Sequence, residues 1–211
     1  MITDIAWDFD GTLCDSYPHV TISFQRALEN MGIHEREEEV HARVITTIPE
    51  AVSHYQAVYN VDGKELQSRF NTYNMKTDYA HVVPFFHVKD ALEKVIAMGG
   101  RNHIYTHRSK ASTWEYITHY SLEHYFTLAI TSDDGFPRKP DPSALLALIE
   151  RAHVKPEELM MVGDRPIDID AAFGAHASSC FFNSNHLPIP AHATYRVESY
   201  FQFITLLERI M

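Results

Sequence analysis

The stretch Ile5-Ala6-Trp7-Asp8-Phe9-Asp10-Gly11-Thr12 decides the fold. From Ile2 the chain is mostly apolar up to Asp10 and then meets a glycine and a threonine, as a central strand feeding a turn does. A strand with so little polar alternation is covered on both faces, which points to a parallel sheet. Three later stretches have the same form: Ile104-Tyr105-Thr106-His107-Arg108, Arg138-Lys139-Pro140-Asp141-Pro142 and Val162-Gly163-Asp164-Arg165-Pro166-Ile167-Asp168. Each sets polar side chains where a buried strand ends.

Between the first and second stretches the pattern is helical. Val20, Phe24, Ala27, Leu28 and Met31 recur at helical spacing and stop at Gly32, and further helical patterns cover 37–45, 49–59 and 63–79. After Val82-Val83-Pro84 the character changes. A helix carrying Val88, Leu92, Val95, Ile96 and Met98 closes at Gly99-Gly100, and a short strand follows through His103-Ile104-Tyr105. Helices over 110–120, 142–152 and 167–173 then alternate with strands near 127–130, 159–162 and 179–182, and a last helix spans 199–210. Alternation of this kind predicts an α/β protein: a doubly wound, Rossmann-like parallel sheet with helices on both faces. The expected domains are an α/β core of residues 1–15 and 83–211 and an inserted α-helical cap of residues 16–82. In such sheets a ligand sits beyond the carboxyl ends of the strands. All four stretches fall there, and the insertion is expected to hang over that edge as a lid.

Composition narrows the function. At 211 residues the chain is long enough for a sizeable core plus a smaller inserted domain. No stretch approaches the roughly 20 apolar residues that cross a bilayer, so no membrane partner is expected. The N-terminus has no basic segment and reaches Asp4 early, unlike a secretory signal. The formal net charge of −10 argues against nucleic-acid binding, which needs a cationic surface. That charge also repels an anionic substrate, so local positive charge has to overcome it, and a metal ion is an economical source. Cys14 and Cys180 read as two free thiols in a reducing cytoplasm, and the 14 histidines as surface or core residues.

Asp8 and Asp10 are two apart, so on an extended segment both point to one face with Phe9 turned away. Burial and mutual repulsion would raise at least one pKa, and a divalent cation would leave Asp8 ionised as a nucleophile. Asp10, partly protonated, could donate to a leaving oxygen and later deprotonate water. Gly11 lets backbone approach a ligand and offers its N–H to a phosphoryl oxygen. The hydroxyl of Thr106 and nearby amides suit an anion, although an ordinary helix N-cap explains that threonine equally well. Lys139 can neutralise nucleophile and phosphoryl group as a point charge, or be a solvated lysine. Asp164 and Asp168 flank a loop after a strand, and hard oxygen ligands there suit Mg²⁺ better than zinc. Asp168 could instead cap the following helix, and Asp133-Asp134 reads as loop.

The order Asp-x-Asp-Gly-Thr, apolar-apolar-Thr, Lys-Pro and Gly-Asp-x-x-x-Asp resembles the haloacid dehalogenase-like hydrolase superfamily, over nearly the whole chain. The insertion is similar to the helical cap of its phosphoglycolate phosphatase and β-phosphoglucomutase group. The resemblance implies that Asp8 attacks phosphorus to form an aspartyl-phosphate while Asp10 serves as general acid, then base. It implies Mg²⁺ held by the Asp8 side chain, the Asp10 carbonyl and Asp164, with Asp168 helping directly or through water. It also implies that Thr106 and Lys139 bind the phosphoryl group. His107 and Arg108, which follow the threonine where many relatives carry asparagine or glycine, are expected to contact substrate. Asp10 argues against dehalogenation, and Lys64 and Lys76 have no setting suited to a Schiff base.

The reading is thus a Mg²⁺-dependent phosphatase acting on a small phosphorylated metabolite. A sugar-phosphate mutase, a signalling receiver domain and a catalytically idle phosphate-binding protein are the alternatives. A receiver is commonly much shorter and lacks a large helical insertion. Specificity is expected from Tyr17, His19 and Arg43 in the insertion as well as from His107 and Arg108, with plain surface the alternative for each. Substrate identity and oligomeric state are not legible in the residues.

Overall fold

The first strand is where the hydrophobic run ends up fully enclosed. In the computed structural model, which describes residues 1–211, β1 (Asp4–Trp7) is buried along its whole length. The chain divides into two units, Met1–Cys14 with Pro84–Met211, and Asp15–Val83. After β1 come β2 (Cys14–Asp15), then α1 (Tyr17–Glu29), α2 (Glu37–Val44), α3 (Ile48–Tyr59) and α4 (Gly63–Asn74), then β3 (Val83–Pro84). The rest of the chain forms α5 (Val88–Ala97), β4 (Arg101–Tyr105), α6 (Lys110–His119), β5 (Phe126–Ile130), α7 (Ser143–Ala152), β6 (Leu159–Gly163), α8 (Pro166–Gly174), β7 (Ser178–Phe182), β8 (Tyr195–Val197) and α9 (Tyr200–Ile210).

The large unit holds a six-stranded sheet in the order β5-β4-β1-β6-β7-β8, with every neighbouring pair parallel. This is the α/β doubly wound sheet that the alternation predicts. Adjacent residues of β1 serve opposite faces. Ala6 packs in a cluster with Leu145 and Leu148 of α7 and Ala171 and Ala172 of α8. Trp7 meets Phe203 of α9 at 5.0 Å between ring centroids and donates its indole N–H to Asn102. Asn102 in turn donates to the Leu92 carbonyl of α5. A small residue on one side and a large one on the other therefore seat helices on both faces. Because β1 is central and its neighbours run parallel to it, the C-terminal ends of β4, β1 and β6 lie side by side.

The second unit is all helical apart from single residues of β2 and β3. Its core gathers Phe24, Ala27, Leu28, Val40, Val44, Tyr55, Leu66 and Phe70, and Phe24 contacts the rings of both Tyr55 and Phe70. Thr47 and Asp62 cap α3 and α4 by accepting amide hydrogens of the first turns. α4 is shorter than the 63–79 pattern implied. Met75 and Tyr79, which continue the apolar spacing, are exposed, so no burial extends the helix past Asn74. β8 was not expected from the sequence and adds a sixth strand at the sheet edge. No helix is long and apolar enough to cross a membrane.

Candidate active site

The site is built from the three neighbouring strand ends. The amide of Asp8 still donates to the Val162 carbonyl at 2.9 Å, so Asp8 continues the ladder one residue past β1 and is fixed against β6. The chain then turns tightly. Cys14 N–H donates to the Phe9 carbonyl and Leu13 N–H to the Asp8 carbonyl. Gly11 takes φ 74°, a left-handed conformation that glycine adopts freely. Its amide donates to the Cys14 carbonyl at 2.8 Å. This corrects the expectation for Gly11: the turn consumes the N–H that was assigned to a phosphoryl oxygen.

Lys139 is the hub. Its side chain is fully buried, and Nζ donates to Asp8 Oδ1 at 2.7 Å, to Asp168 Oδ1 at 2.6 Å and to the Tyr105 carbonyl at 2.9 Å. An ammonium has three hydrogens, and all three are placed. Burial works against its charge, but Asp168 and Asp8 outweigh burial and hold the ammonium above its ordinary value. Burial pushes the Asp8 carboxyl up to about 6, with Lys139 opposing and Asp168 adding to the rise. The solvated lysine is thus replaced by a buried ion triad.

The remaining oxygen of Asp8, Oδ2, is buried and has no hydrogen-bond partner. The guanidinium of Arg165 lies near it, with a terminal nitrogen 3.8 Å away, beyond hydrogen-bond reach. Arg165 Nε also lies 3.9 Å from Asp164 Oδ1. Asp8, Asp164 and Asp168 are all buried and offer carboxylate oxygens within 4.8 Å of one another. Such a cluster of hard, buried oxygens suits Mg²⁺. Asp8 Oδ2 in particular is a desolvated carboxylate oxygen to which the chain supplies no donor, so it is left for a cation or for an electrophilic ligand atom. Asp168 serves the cluster differently. Its Oδ1 accepts from Lys139 and its Oδ2 from the Arg165 amide at 3.1 Å, so it anchors the lysine and the start of α8 together. Gly163 makes this possible, since a Cβ there would lie 2.3 Å from both Cβ and Cγ of Asp168.

Asp10 does not join the carboxylate cluster through its side chain. β1 ends at Trp7, so the two-residue alternation that set Asp8 and Asp10 on one face no longer governs Asp10. Arg108 instead grips it with both edges of the guanidinium, one terminal N–H to Oδ1 at 2.6 Å and Nε–H to Oδ2 at 3.3 Å. Thr106 is buried, and its Oγ1 accepts the Arg108 amide at 3.1 Å, which leaves the hydroxyl proton to donate. The helix-cap alternative for Thr106 is overturned, because Ser109 is the residue that caps α6.

His107 is corrected as well. Its Nε2 accepts the Lys139 amide at 2.8 Å, so this nitrogen holds the Lys139 backbone and does not face a substrate. Burial, then the charges of Lys139 and Arg138, pull the imidazole down to about 3, and the ring stays neutral as an acceptor must. Asp133 and Asp134 belong to local structure, accepting the amides of Lys110 and Thr131 respectively. In the helical unit, both ring nitrogens of His19 are engaged, with Asp78 and with the Asn74 carbonyl. Tyr17 is buried edge-on to His41, whereas Arg43 is exposed. Arg165 escaped the sequence reading, although its place beside Asp164 in a loop of ligand residues was a usable signal.

The three strand ends thus bring together a buried carboxylate cluster held by a lysine, at the carboxyl edge of a parallel sheet. The family model of the haloacid dehalogenase-like hydrolases matches residues 5–182, and the chain belongs to that family. It is similar to a phosphoglycolate phosphatase of Vibrio parahaemolyticus, 29% identical over 187 residues that cover 83% of this chain and 81% of the relative. A phosphoglycolate phosphatase of Aliivibrio fischeri is 28% identical over 193 residues, covering 86% and 85%. Among solved structures, a subfamily IA hydrolase of the same superfamily from Geobacter sulfurreducens superposes with a TM-score of 0.72 at 25% identity, covering 98% of this chain and 96% of that one.

Proposed function

We propose that this hydrolase, which acts on phosphoric monoesters, works through an aspartyl-phosphate on Asp8, requires Mg²⁺, and takes a small soluble phosphorylated metabolite as substrate. The observation that carries the reading is the asymmetry of Asp8. One oxygen is pinned by Lys139, while the other is buried with no hydrogen-bond donor. A carboxylate held by one oxygen presents the other in a fixed direction, which is what in-line attack on phosphorus needs.

In the first step Asp8 Oδ2 forms a bond to phosphorus as the bond from phosphorus to the ester oxygen breaks. Asp10 gives a proton to that departing oxygen. The Thr106 hydroxyl donates to the charge that spreads over the phosphoryl oxygens, while Lys139, whose three hydrogens are already placed, acts on that charge only through its own charge and by holding Asp8. In the second step Asp10, now ionised, takes a proton from water as the water oxygen attacks phosphorus. Orthophosphate leaves and the Asp8 carboxylate is restored. Asp8 and Asp164, with the Asp10 carbonyl, would hold Mg²⁺, which supplies Lewis-acid stabilisation of the phosphoryl oxygens. The helical unit 15–83, inserted directly after the nucleophile loop, serves as the cap that selects substrate and limits water. Two buried cysteines that form no disulfide and a small soluble substrate fit a cytoplasmic enzyme.

The test is orthophosphate release from a panel of phosphorylated metabolites with Mg²⁺ present. The names of the relatives make 2-phosphoglycolate the first compound to try. Release that disappears with excess EDTA and in Asp8→Asn supports the reading. Full activity in either condition contradicts it. Isomerised sugar phosphate with little free phosphate would instead identify a mutase.

A further inference from the structure

Arg108 lies next to the triad yet is built unlike a substrate-binding arginine. A guanidinium that awaits an anion keeps its donor fork open. Here the fork is closed on Asp10, and a third donor, the other terminal nitrogen, reaches Ser112 Oγ at 2.9 Å. The group rests on an aromatic floor, 4.9 Å from the Phe9 ring centre and 5.1 Å from that of Tyr116. Its backbone amide is tied to Thr106. The Arg108 side chain is only 12% exposed, whereas that of Asp10 is 33% exposed. The arginine thus backs the carboxyl from the protein side, and the carboxyl keeps the outward side.

We propose that Arg108 is a positioning residue that fixes the orientation of the Asp10 carboxyl, so that Asp10 delivers its proton to the departing ester oxygen. This rests on the general-acid role given to Asp10 above. Each carboxyl oxygen has two lone-pair sites. The fork takes one on each, which fixes the plane of the group. Without the fork, a one-third-exposed aspartate at the end of a turn samples several rotamers, and few of them point a proton at the ester oxygen. Lysine cannot substitute, because a single ammonium carries the charge without fixing the plane.

The consequence is a defect that depends on the leaving group. Orientation of the acid matters most when the departing oxygen is strongly basic and least when it leaves readily as an anion. A series of substituted phenyl phosphates, from 4-nitrophenyl to 4-methoxyphenyl, varies that demand at nearly constant shape. The quantity to measure is kcat/KM, which covers the steps through leaving-group departure and excludes the later attack by water.

For Arg108→Met, kcat/KM on 4-methoxyphenyl phosphate is expected to fall at least about tenfold further than on 4-nitrophenyl phosphate, within the range one general acid contributes. Ser112→Ala, which removes only the brace, is expected to show the same trend more weakly, and Arg108→Lys to stay close to Arg108→Met. Circular dichroism and thermal melting check that each variant folds; Ser112→Ala carries the test if Arg108→Met does not fold. Equal losses across the series, or a parental slope in Arg108→Lys, would overturn the positioning role while leaving the hydrolase reading intact. A parent protein inactive on every ester, with Mg²⁺ present, would overturn both.

Discussion

Replacing Lys139 by methionine is the most informative single perturbation, because it removes one charge and keeps the buried apolar stem. Three hydrogen bonds go with it, to Asp8, Asp168 and the Tyr105 carbonyl. Both carboxylates are essentially inaccessible to solvent. Breaking a buried pair by removing one partner costs about 3–5 kcal/mol, and that is the loss expected at pH 8. The cost depends on pH in a direction that follows from Asp8. Its folded pKa, about 6, already exceeds the ordinary 3.8. A raised acid contributes stability below its unfolded pKa and loses it as pH rises through the folded value. Loss of Lys139, which opposes that rise, moves the Asp8 pKa higher still. The variant therefore keeps a proton at pH values where the parent has released it. The difference in stability shrinks toward pH 5, by up to about 1.4 kcal/mol for each pH unit over which one extra proton is held. Urea unfolding followed by tryptophan fluorescence at pH 5 and pH 8 measures this, since Trp7 and Trp114 both lie in the α/β unit. A difference below about 1 kcal/mol at pH 8, or one that does not change with pH, would refute a lysine locked between two ionised acids.

The Asp8 shift also contributes a loss of about 2–3 kcal/mol of stability between pH 4 and pH 7, the value of moving one carboxyl from 3.8 to about 6. Because His107, held down at about 3, gains a similar amount over the same range, the loss is measured as the change with pH in the stability difference between the metal-free parent and Asp8→Asn. Mg²⁺ binds ionised carboxylates, so it should raise the melting temperature more at pH 8 than at pH 5; a larger rise at pH 5 contradicts this. In Gly163→Ala the new methyl would fall 2.3 Å from Asp168, whose position is fixed by Lys139 and the Arg165 amide. Overpacking of this kind costs about 1–3 kcal/mol and should lower both the melting temperature and kcat. A variant with the parental melting temperature would show that Asp168 is free to move.

Much of the fold was legible because it rests on periodicity. The β1 run, the break at Gly11 and the later alternation of strands with helices follow from burial on both faces of a parallel sheet, which leaves a strong mark in sequence. β8 left little mark. It is three residues long, at the sheet edge, with exposed Arg196 at its centre, and pairs only with β7. The overlong expectation for α4 has the opposite cause, since Met75 and Tyr79 keep a helical spacing without burial to enforce it. At the site, motif order indicated which side chains gather, but partner choice is a property of contacts. Arg108 and Asp10 are 98 residues apart, and nothing local to either marks the fork between them. Gly11 was read correctly as a tight turn. Its amide was assigned to a ligand because the closing bond to Cys14 is invisible until the turn is built.

In the proposed reaction Asp8 is the nucleophile that attacks phosphorus. Acid quenching of the Mg²⁺-loaded protein during turnover of a phosphomonoester, followed by peptide mass analysis, tests this directly. One phosphoryl group is expected on the peptide that contains Asp8, absent from Asp8→Asn and lost on mild alkaline treatment. Rapid turnover with no adduct on that peptide, or with the adduct on another residue, would contradict it.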